Sequence, residues 1–373
     1  MNQQTVSHAA GEHVTLPQEK VIYGAGSLER LADEVGRLEG QRAFIITGRS
    51  LTTDTLVIRE VEAILGARHA GTFSGIRQHA PESGIHEAIR QARQRQADML
   101  VSVGGGSPID ATKAVARGLA EEGDGDYPPH IAIPTTLSAA EYSHVAGYKD
   151  EDSQEKTGFA DRRATPRIVI LEPEITLYTP MWLWLSSGIR ALDHAVETLY
   201  SAGYHPVSDV LALQAVADLF EFLPRCKDDP QSLQARHACQ LAAWMSYFSP
   251  ASVGAHKGLS HTVGKRIGAA YNVPHGVTSC ILLAHVMRYK AREHAADLAP
   301  VARKLGLVDQ QISDQEAALA AAGAVGDLVR QLDLPVRLKE VDVPEAAFEQ
   351  IAHGAASNGA PAADIVQILQ QAW

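Results

Sequence analysis

The sequence predicts two halves of different class: an α/β half built on a parallel sheet, residues 1–183, and an all-helical half, residues 184–373. Three observations predict it. Strand-length apolar runs alternate with amphipathic helical stretches as far as Arg167-Ile168-Val169-Ile170-Leu171. From Leu183 onward nearly every segment carries helical periodicity. The strongest apolar run, Met99 to Val103, enters three glycines and then a helical stretch. Repeated strand–helix–strand order of this kind points to a parallel sheet covered on both faces.

Val21-Ile22-Tyr23 is a short strand, ended by Gly24-Ala25-Gly26-Ser27. A helix follows with Leu28, Leu31 and Val35 on one face. Ala43 to Thr47 is a strand stopped by Gly48, residues 54–67 form a helix, and His69 to Phe73 is a weak strand. Residues 83–96 are helical, with Ile85, Ile89 and Ala92 in register. Met99 to Val103 is a buried strand, 108–120 a helix and His130 to Pro134 a further strand. The helical half reads as 186–201, 207–224, 231–248, 252–270, 276–290, 292–305, 313–332, 344–353 and 362–372. The alanine-rich stretch Ala317 to Ala324 marks a tightly packed helix.

Composition sets limits on function. A 373-residue chain with 45% hydrophobic and 21% charged residues is an ordinary globular protein. Its 33 Lys+Arg against 44 Asp+Glu give a net charge of −11, which disfavours broad binding to nucleic acid or anionic membrane. Cys226, Cys239 and Cys280 are odd in number and lack a CxxC, so a reducing compartment fits best. No apolar run is long enough to span a membrane, and the first residues lack a basic-then-apolar signal. The expectation is a cytoplasmic protein.

Three segments carry chemistry. Gly104-Gly105-Gly106-Ser107-Pro108-Ile109-Asp110 joins a buried strand to a helix. Glycines let backbone N–H groups approach a phosphate, and the helix N-terminus adds partial positive charge. Pro108 suits the first turn, where an N–H is dispensable. The segment is neither a Walker A sequence nor GxGxxG. Thr135, Thr136 and Ser138 leave the next strand, at the strand ends where open parallel sheets bind ligands. In the helical half, Arg190 and His194 share one helix face, as do His261 and Lys265, and His275 follows in a loop. Three histidines with an Arg and a Lys among small apolar residues describe a polar pocket.

These segments together resemble the iron-containing (group III) alcohol dehydrogenase superfamily, which includes the maleylacetate reductases. The resemblance runs from Val21 to the C-terminal helix, through Gly104–Asp110, Ile133-Pro134-Thr135-Thr136, Gly188–Glu197 and Pro274–Cys280. It implies a Rossmann-like dinucleotide-binding domain, a helical domain, and an active site in the cleft between them. It also implies a homodimer or larger oligomer. The cofactor implied is NADPH or NADH, held by Gly104, Gly105, Gly106, Ser107 and Asp110 with Thr135, Thr136 and Ser138. Lys156 matches a lysine near the cofactor in family members.

In metal-dependent members one Asp and three His hold the metal. The three His positions are kept here as His194, His261 and His275, but the Asp position is Arg190. A further family His falls on Lys265; a shifted alignment would use Lys257 and His261, and the unbroken spacing back from His275 favours Lys265. An Arg does not deprotonate in proteins. Beside a divalent ion at about 4 Å it would be repelled by several kcal/mol even at an effective dielectric near 20. The expectation is therefore that no metal is bound; if one were, His194, His261 and His275 would hold it.

Arg190 and Lys265 favour an anion instead. Maleylacetate reductases also lack the metal Asp, and reduce the C=C bond of a dicarboxylate to give 3-oxoadipate. The subfamily's histidine-rich segment and C-terminal Asn-Pro-Arg-Pro are missing; Asn358-Gly359-Ala360-Pro361 is a partial echo. The leading expectation is an NAD(P)H-dependent reductase of a small anionic carbonyl or enone compound. Arg190 and Lys265 would bind its oxygens, and one of His194, His261 and His275 would supply the proton. Alternatives are a metal-dependent alcohol dehydrogenase using the three histidines, and a nucleotide-binding protein without turnover. Gly48 stands where NAD-preferring members carry Asp, and Arg49 and Ser50 adjoin it, so NADPH should be accepted.

Overall fold

The computed structural model describes residues 13–121, 123, 125–151, 156–201, 205–248, 258–356 and 360–373. Six parallel strands form the N-terminal sheet: β1 (Lys20–Tyr23), β2 (Ala43–Thr47), β3 (His69–Phe73), β4 (Met99–Gly104), β5 (His130–Pro134) and β8 (Ile168–Leu171). Their order is β1-β8-β5-β4-β2-β3. Helices α1 (Leu31–Arg37), α2 (Arg49–Thr53), α3 (Val57–Leu65), α4 (Glu82–Gln94) and α5 (Gly106–Glu121) connect them. Two apolar layers flank the sheet. Leu31, Val35, Val57, Val61 and Ile133 belong to one, and Phe44, Ile46, Ile85, Ala88 and Val115 to the other. Strands buried on both faces read as unbroken apolar runs, which is why they were visible in the sequence.

Two features differ from the expectation. The helix expected over 54–67 is the shorter α3, which ends at Leu65 before a short turn of 3₁₀ helix, and the unexpected α2 precedes it, starting at once after Gly48. An antiparallel hairpin, β6 (Val145–Lys149) with β7 (Lys156–Ala160), was not expected. Gly147 opposes Gly158, and a Cβ on Gly158 would stand 2.1 Å from the Ala146 carbonyl oxygen. Small and polar residues hide this pair from an apolar-run reading.

The helical half contains α6 (Met181–Ser201), α7 (Ser208–Asp228), α8 (Leu233–Ser246), α9 (Leu259–Tyr271) and α10 (His275–Lys290). It continues with α11 (Ala295–Lys304), α12 (Asp314–Gln331), α13 (Phe348–Ala355) and α14 (Ala362–Gln371). α6 begins five residues before its expected start, at Met181 directly after Pro180, with Trp184 fully buried in its first turns. Ala317, Ala318, Ala321 and Ala322 are completely buried on α12, as the alanine run suggested. Cys226, Cys239 and Cys280 are buried free thiols. Among the described residues no helix is long and apolar enough to cross a membrane.

The sheet order decides where ligands can sit. β5, β4 and β2 are adjacent, with Gly104 opposite Pro134 and Thr47 opposite Val103. The segments leaving them, Thr135–Ser138, Gly104–Ser107 and Gly48–Ser50, therefore stand side by side at the carboxyl edge. The second loop is tied to the helical half, because the Leu137 N–H donates to Ser187 Oγ on α6 at 3.1 Å.

Candidate active site

A cavity of about 970 Å³ opens between the carboxyl edge of the sheet and the helical half. Its sheet-side wall is the glycine loop. Gly104 has φ 141°, in the region that favours glycine, and lets the chain turn from β4 into α5. A Cβ on Gly105 would lie 3.1 Å from Thr136 Cγ2, and one on Gly106 would lie 3.3 Å from Ser138 Oγ. The backbone is thus bare against the hydroxyl loop. The Thr135 N–H donates to the Gly104 carbonyl at 3.0 Å and locks the two loops together. Ser138 Oγ is buried and has no hydrogen-bond partner among the described residues. A bare glycine backbone, the N-terminus of a 16-residue helix and an unsatisfied buried hydroxyl suit the pyrophosphate of a dinucleotide.

Gly48, Ser50, Gly104, Gly105, Gly106, Ser107, Asp110, Thr135, Thr136 and Ser138 all line the cavity. Arg49 does not; it is exposed at the start of α2. Asp110 faces the cavity with its carboxylate engaged. One oxygen pairs with Lys113 Nζ at 3.1 Å, and the other accepts from the Gly147 N–H at 3.3 Å. Lys113, fully buried, also donates to the carbonyls of Ala140 at 2.7 Å and Val145 at 2.8 Å. Asp110 and Lys113 therefore tie the hairpin to α5. Lys156 opens β7, and its side chain, like Lys257 and the Asn358-Gly359 echo, lies outside the described part of the structure.

The opposite wall comes from α6, α9 and α10. It gathers Arg190, His194, His261, Lys265 and His275 around the same cavity. The Arg190 side chain is only 15% exposed; its Nη1 lies 3.1 Å from Ser279 Oγ and 3.4 Å from Asp193 Oδ2. Asp193, completely buried, also accepts from Ser279 at 2.6 Å and Ser260 at 2.9 Å. Glu197 Oε2 lies 2.5 Å from His261 Nδ1 and accepts from the Gly258 N–H at 3.0 Å. The rings of His194 and His261 are 4.7 Å apart, and Tyr247 meets His194 edge-on at the same separation. His275 begins α10 and faces His79 of the α/β half at 5.4 Å.

Burial sets the charge states here. It pushes the Glu197 carboxyl up to about 7, against the pull of Arg190. It also raises Asp193, helped by the neighbouring Glu197 charge. It drives the His194 imidazole well below its ordinary value, with His261 and Arg190 acting in the same direction. His194 is therefore a neutral ring at pH 7.

Arg190 weighs against a divalent ion at this donor set. Among the described residues, one group of three potential ligand atoms falls within 4.8 Å of one another: Asp193, Glu197 and His261. The three histidines form no such group. The carboxylates in the group are already bonded to hydroxyls, backbone N–H groups and His261, and Arg190 supplies a cation beside Asp193.

Asp193, Glu197 and His79 had no role in the sequence reading. The first two were legible, being carboxylates three and seven residues after Arg190 in an otherwise apolar helical segment. No sequence signal singles out His79, which reaches the cavity only through its turn.

A parallel sheet presenting a bare anion cradle to a wall of His, Arg and Lys defines a dinucleotide-dependent oxidoreductase. The chain belongs to the iron-containing alcohol dehydrogenase family. Residues 17–173 match the iron-containing alcohol dehydrogenase domain, and residues 184–373 match the Fe-containing alcohol dehydrogenase family, C-terminal domain. It is similar to the maleylacetate reductase of Burkholderia cepacia, with 30% identity over 344 residues, 92% of this chain and 90% of that one. The crystal structure of maleylacetate reductase from Agrobacterium tumefaciens superposes with a TM-score of 0.84 at 26% identity, covering 98% of each chain. The structure of a 1,3-propanediol oxidoreductase superposes at 0.89 with 25% identity, covering 96% of this chain and 99% of that one. The protein is an NAD(P)-dependent oxidoreductase of this family.

Proposed function

We propose that the protein is an NAD(P)H-dependent reductase of a small anionic carbonyl or enone compound, resembling maleylacetate, and that it works without a metal ion. The observation that carries this reading is Arg190. It stands where metal-dependent relatives place a carboxylate, largely buried in the cavity wall beside Asp193. The curated maleylacetate reductases, similar over most of this chain, support the substrate class.

Reduction adds a hydride and a proton across the activated double bond; bound NAD(P)H supplies the hydride. Gly104, Gly105, Gly106 and Ser107 hold the pyrophosphate, with Thr135, Thr136 and Ser138 supporting it. Arg190 binds the substrate's carboxylate, and Lys265 stabilises the negative charge that develops on the reacting oxygen as hydride arrives. His194, neutral in its buried setting, offers a hydrogen bond without adding positive charge. His261, oriented by Glu197 through its Nδ1, gives the proton from its other ring nitrogen, to carbon for an enone and to oxygen for a carbonyl. A cytoplasmic homodimer acting on a small molecule belongs to the same proposal. So does the division of labour between residues 1–183, for the cofactor, and 184–373, for the substrate.

The test compares wild type with Arg190→Ala on maleylacetate and on neutral aldehydes. Loss of a charge-assisted pair should lower kcat/KM for the carboxylate substrate about a hundredfold, mainly through KM. Neutral aldehydes should be little affected. An equal loss on both classes refutes the anion-binding role.

A further inference from the structure

We propose that His79, presented by a strained turn of the α/β half, contacts the substrate opposite His275. This rests on the reading of the cavity as a reductase site.

His79 and Ala80 have φ of 63° and 48°, two consecutive left-handed residues that are not glycine, directly before Pro81. Non-glycine residues avoid this region, and a residue before proline prefers an extended backbone. Strain of this kind persists where the surroundings hold it, and it concentrates at functional sites. Here the surroundings do hold it. The His79 N–H donates to Ser107 Oγ at 3.1 Å, beside the glycine loop. The Lys149 N–H donates to the carbonyls of His79 at 3.0 Å and Ala80 at 3.3 Å, from the hairpin. The Ala80 N–H closes the turn onto the Arg77 carbonyl at 3.0 Å.

Every one of those contacts uses backbone atoms of residues 79 and 80. The same turn delivers the imidazole into the cavity. The residue is 9% exposed and its side chain lines the cavity. Gln78 Nε2 lies 3.1 Å from its Nε2. It meets the ring of His275 edge-on, with an interplanar angle of 75°. One histidine from each half thus meets across the cleft, and Arg190 and Lys265 supply cations from the helical half. A small anion gripped by Arg190 and Lys265 receives from His79 an imidazole contact supplied by the α/β half. His79 then sets how well the substrate is held in front of the cofactor, and leaves the cofactor's own affinity unchanged.

The experiment uses the NADPH-saturated enzyme. His79→Ala leaves the backbone contacts in place, and a thermal melt checks that the variant stays folded. It should raise the KM for maleylacetate, and the inhibition constant of 3-oxoadipate, about tenfold, the effect of one lost hydrogen bond. The NADPH Kd should stay within twofold, and kcat should fall by less than about threefold. His79→Asn, which tolerates the left-handed backbone and keeps a side-chain donor, should recover part of the loss. An active wild type whose KM is unmoved by His79→Ala overturns the His79 proposal and leaves the reductase reading standing. So does a loss of NADPH affinity as large as the loss of substrate affinity, which would mean that residue 79 acts through Ser107. A wild type that neither oxidises NADPH with maleylacetate nor binds 3-oxoadipate overturns both.

Discussion

Gly105→Val isolates the anion cradle from the fold. Gly104 cannot serve, because its φ of 141° strains any side chain and its Cβ would come within 2.9 Å of Pro108 Cγ. Gly105 carries no positive φ, so a side chain there costs little backbone energy. Its Cβ would stand 3.1 Å from Thr136 Cγ2 and 3.2 Å from Thr136 Oγ1, close enough for Thr136 to yield by a few tenths of an ångström. The two valine methyls reach about 1.5 Å further. They press on Thr136 or fill the space in which a phosphate meets the backbone. One charge-assisted hydrogen bond to phosphate is worth about 1.5–3 kcal/mol. At about 1.4 kcal/mol per factor of ten, the NADPH Kd should rise about 10- to 100-fold. Fluorescence titration with NADPH measures this directly, and a thermal melt checks that Tm moves by no more than a few degrees. An unchanged Kd in a folded variant would show that the pyrophosphate does not lie on Gly105. Gly104→Val should instead lower Tm, so the pair separates binding from folding.

Two other substitutions test neighbouring parts of the account. At Gly48 the nearest atom to an added Cβ is the Ile76 carbonyl oxygen at 3.4 Å, so Gly48→Asp fits; it should cut kcat/KM with NADPH more than with NADH, and an unchanged ratio would place the ribose elsewhere. Glu141 is 1% exposed, and burial pushes its carboxyl up to about 7 from 4.5. The native state therefore keeps a proton that the unfolded chain releases, and stability present below pH 4.5 is lost as pH rises through 7. The full interval corresponds to about 3 kcal/mol. Urea unfolding at pH 5 and pH 8 should show Glu141→Gln losing less stability than wild type between the two; equal losses would refute the assignment.

The α/β half was legible because its chemistry is local. Ala43–Thr47 and His130–Pro134 are buried on both faces, so their apolar runs stand out, and Gly48 and Gly104–Gly106 punctuate them. The hairpin was not legible, since Gly147 and Gly158 pair through backbone geometry that leaves no apolar period. In the candidate site, Arg190 with His194 and His261 with Lys265 were singled out by spacing, because residues four apart on a helix share a face, and His275 by its loop ahead of the next helix. What spacing could not supply is partnership between helices. Asp193 meets Ser260 and Ser279, and Glu197 meets His261, only once α6, α9 and α10 pack together. Asp110 shows the same limit: it lines the cavity as the sequence suggested, but its ties to Lys113 and to Gly147 of the hairpin emerge only in the fold. His79 depends on a left-handed turn that residue types alone do not announce.

The site, with Arg190 where metal-dependent relatives place a carboxylate, is proposed to work without a metal ion. The most direct measurement is the metal content of the purified wild type, followed by its NADPH-dependent turnover of maleylacetate before and after exhaustive chelation. The account predicts far less than one divalent ion per chain and the same rate after chelation. Stoichiometric metal, with activity lost to the chelator and restored by adding the ion back, would contradict it.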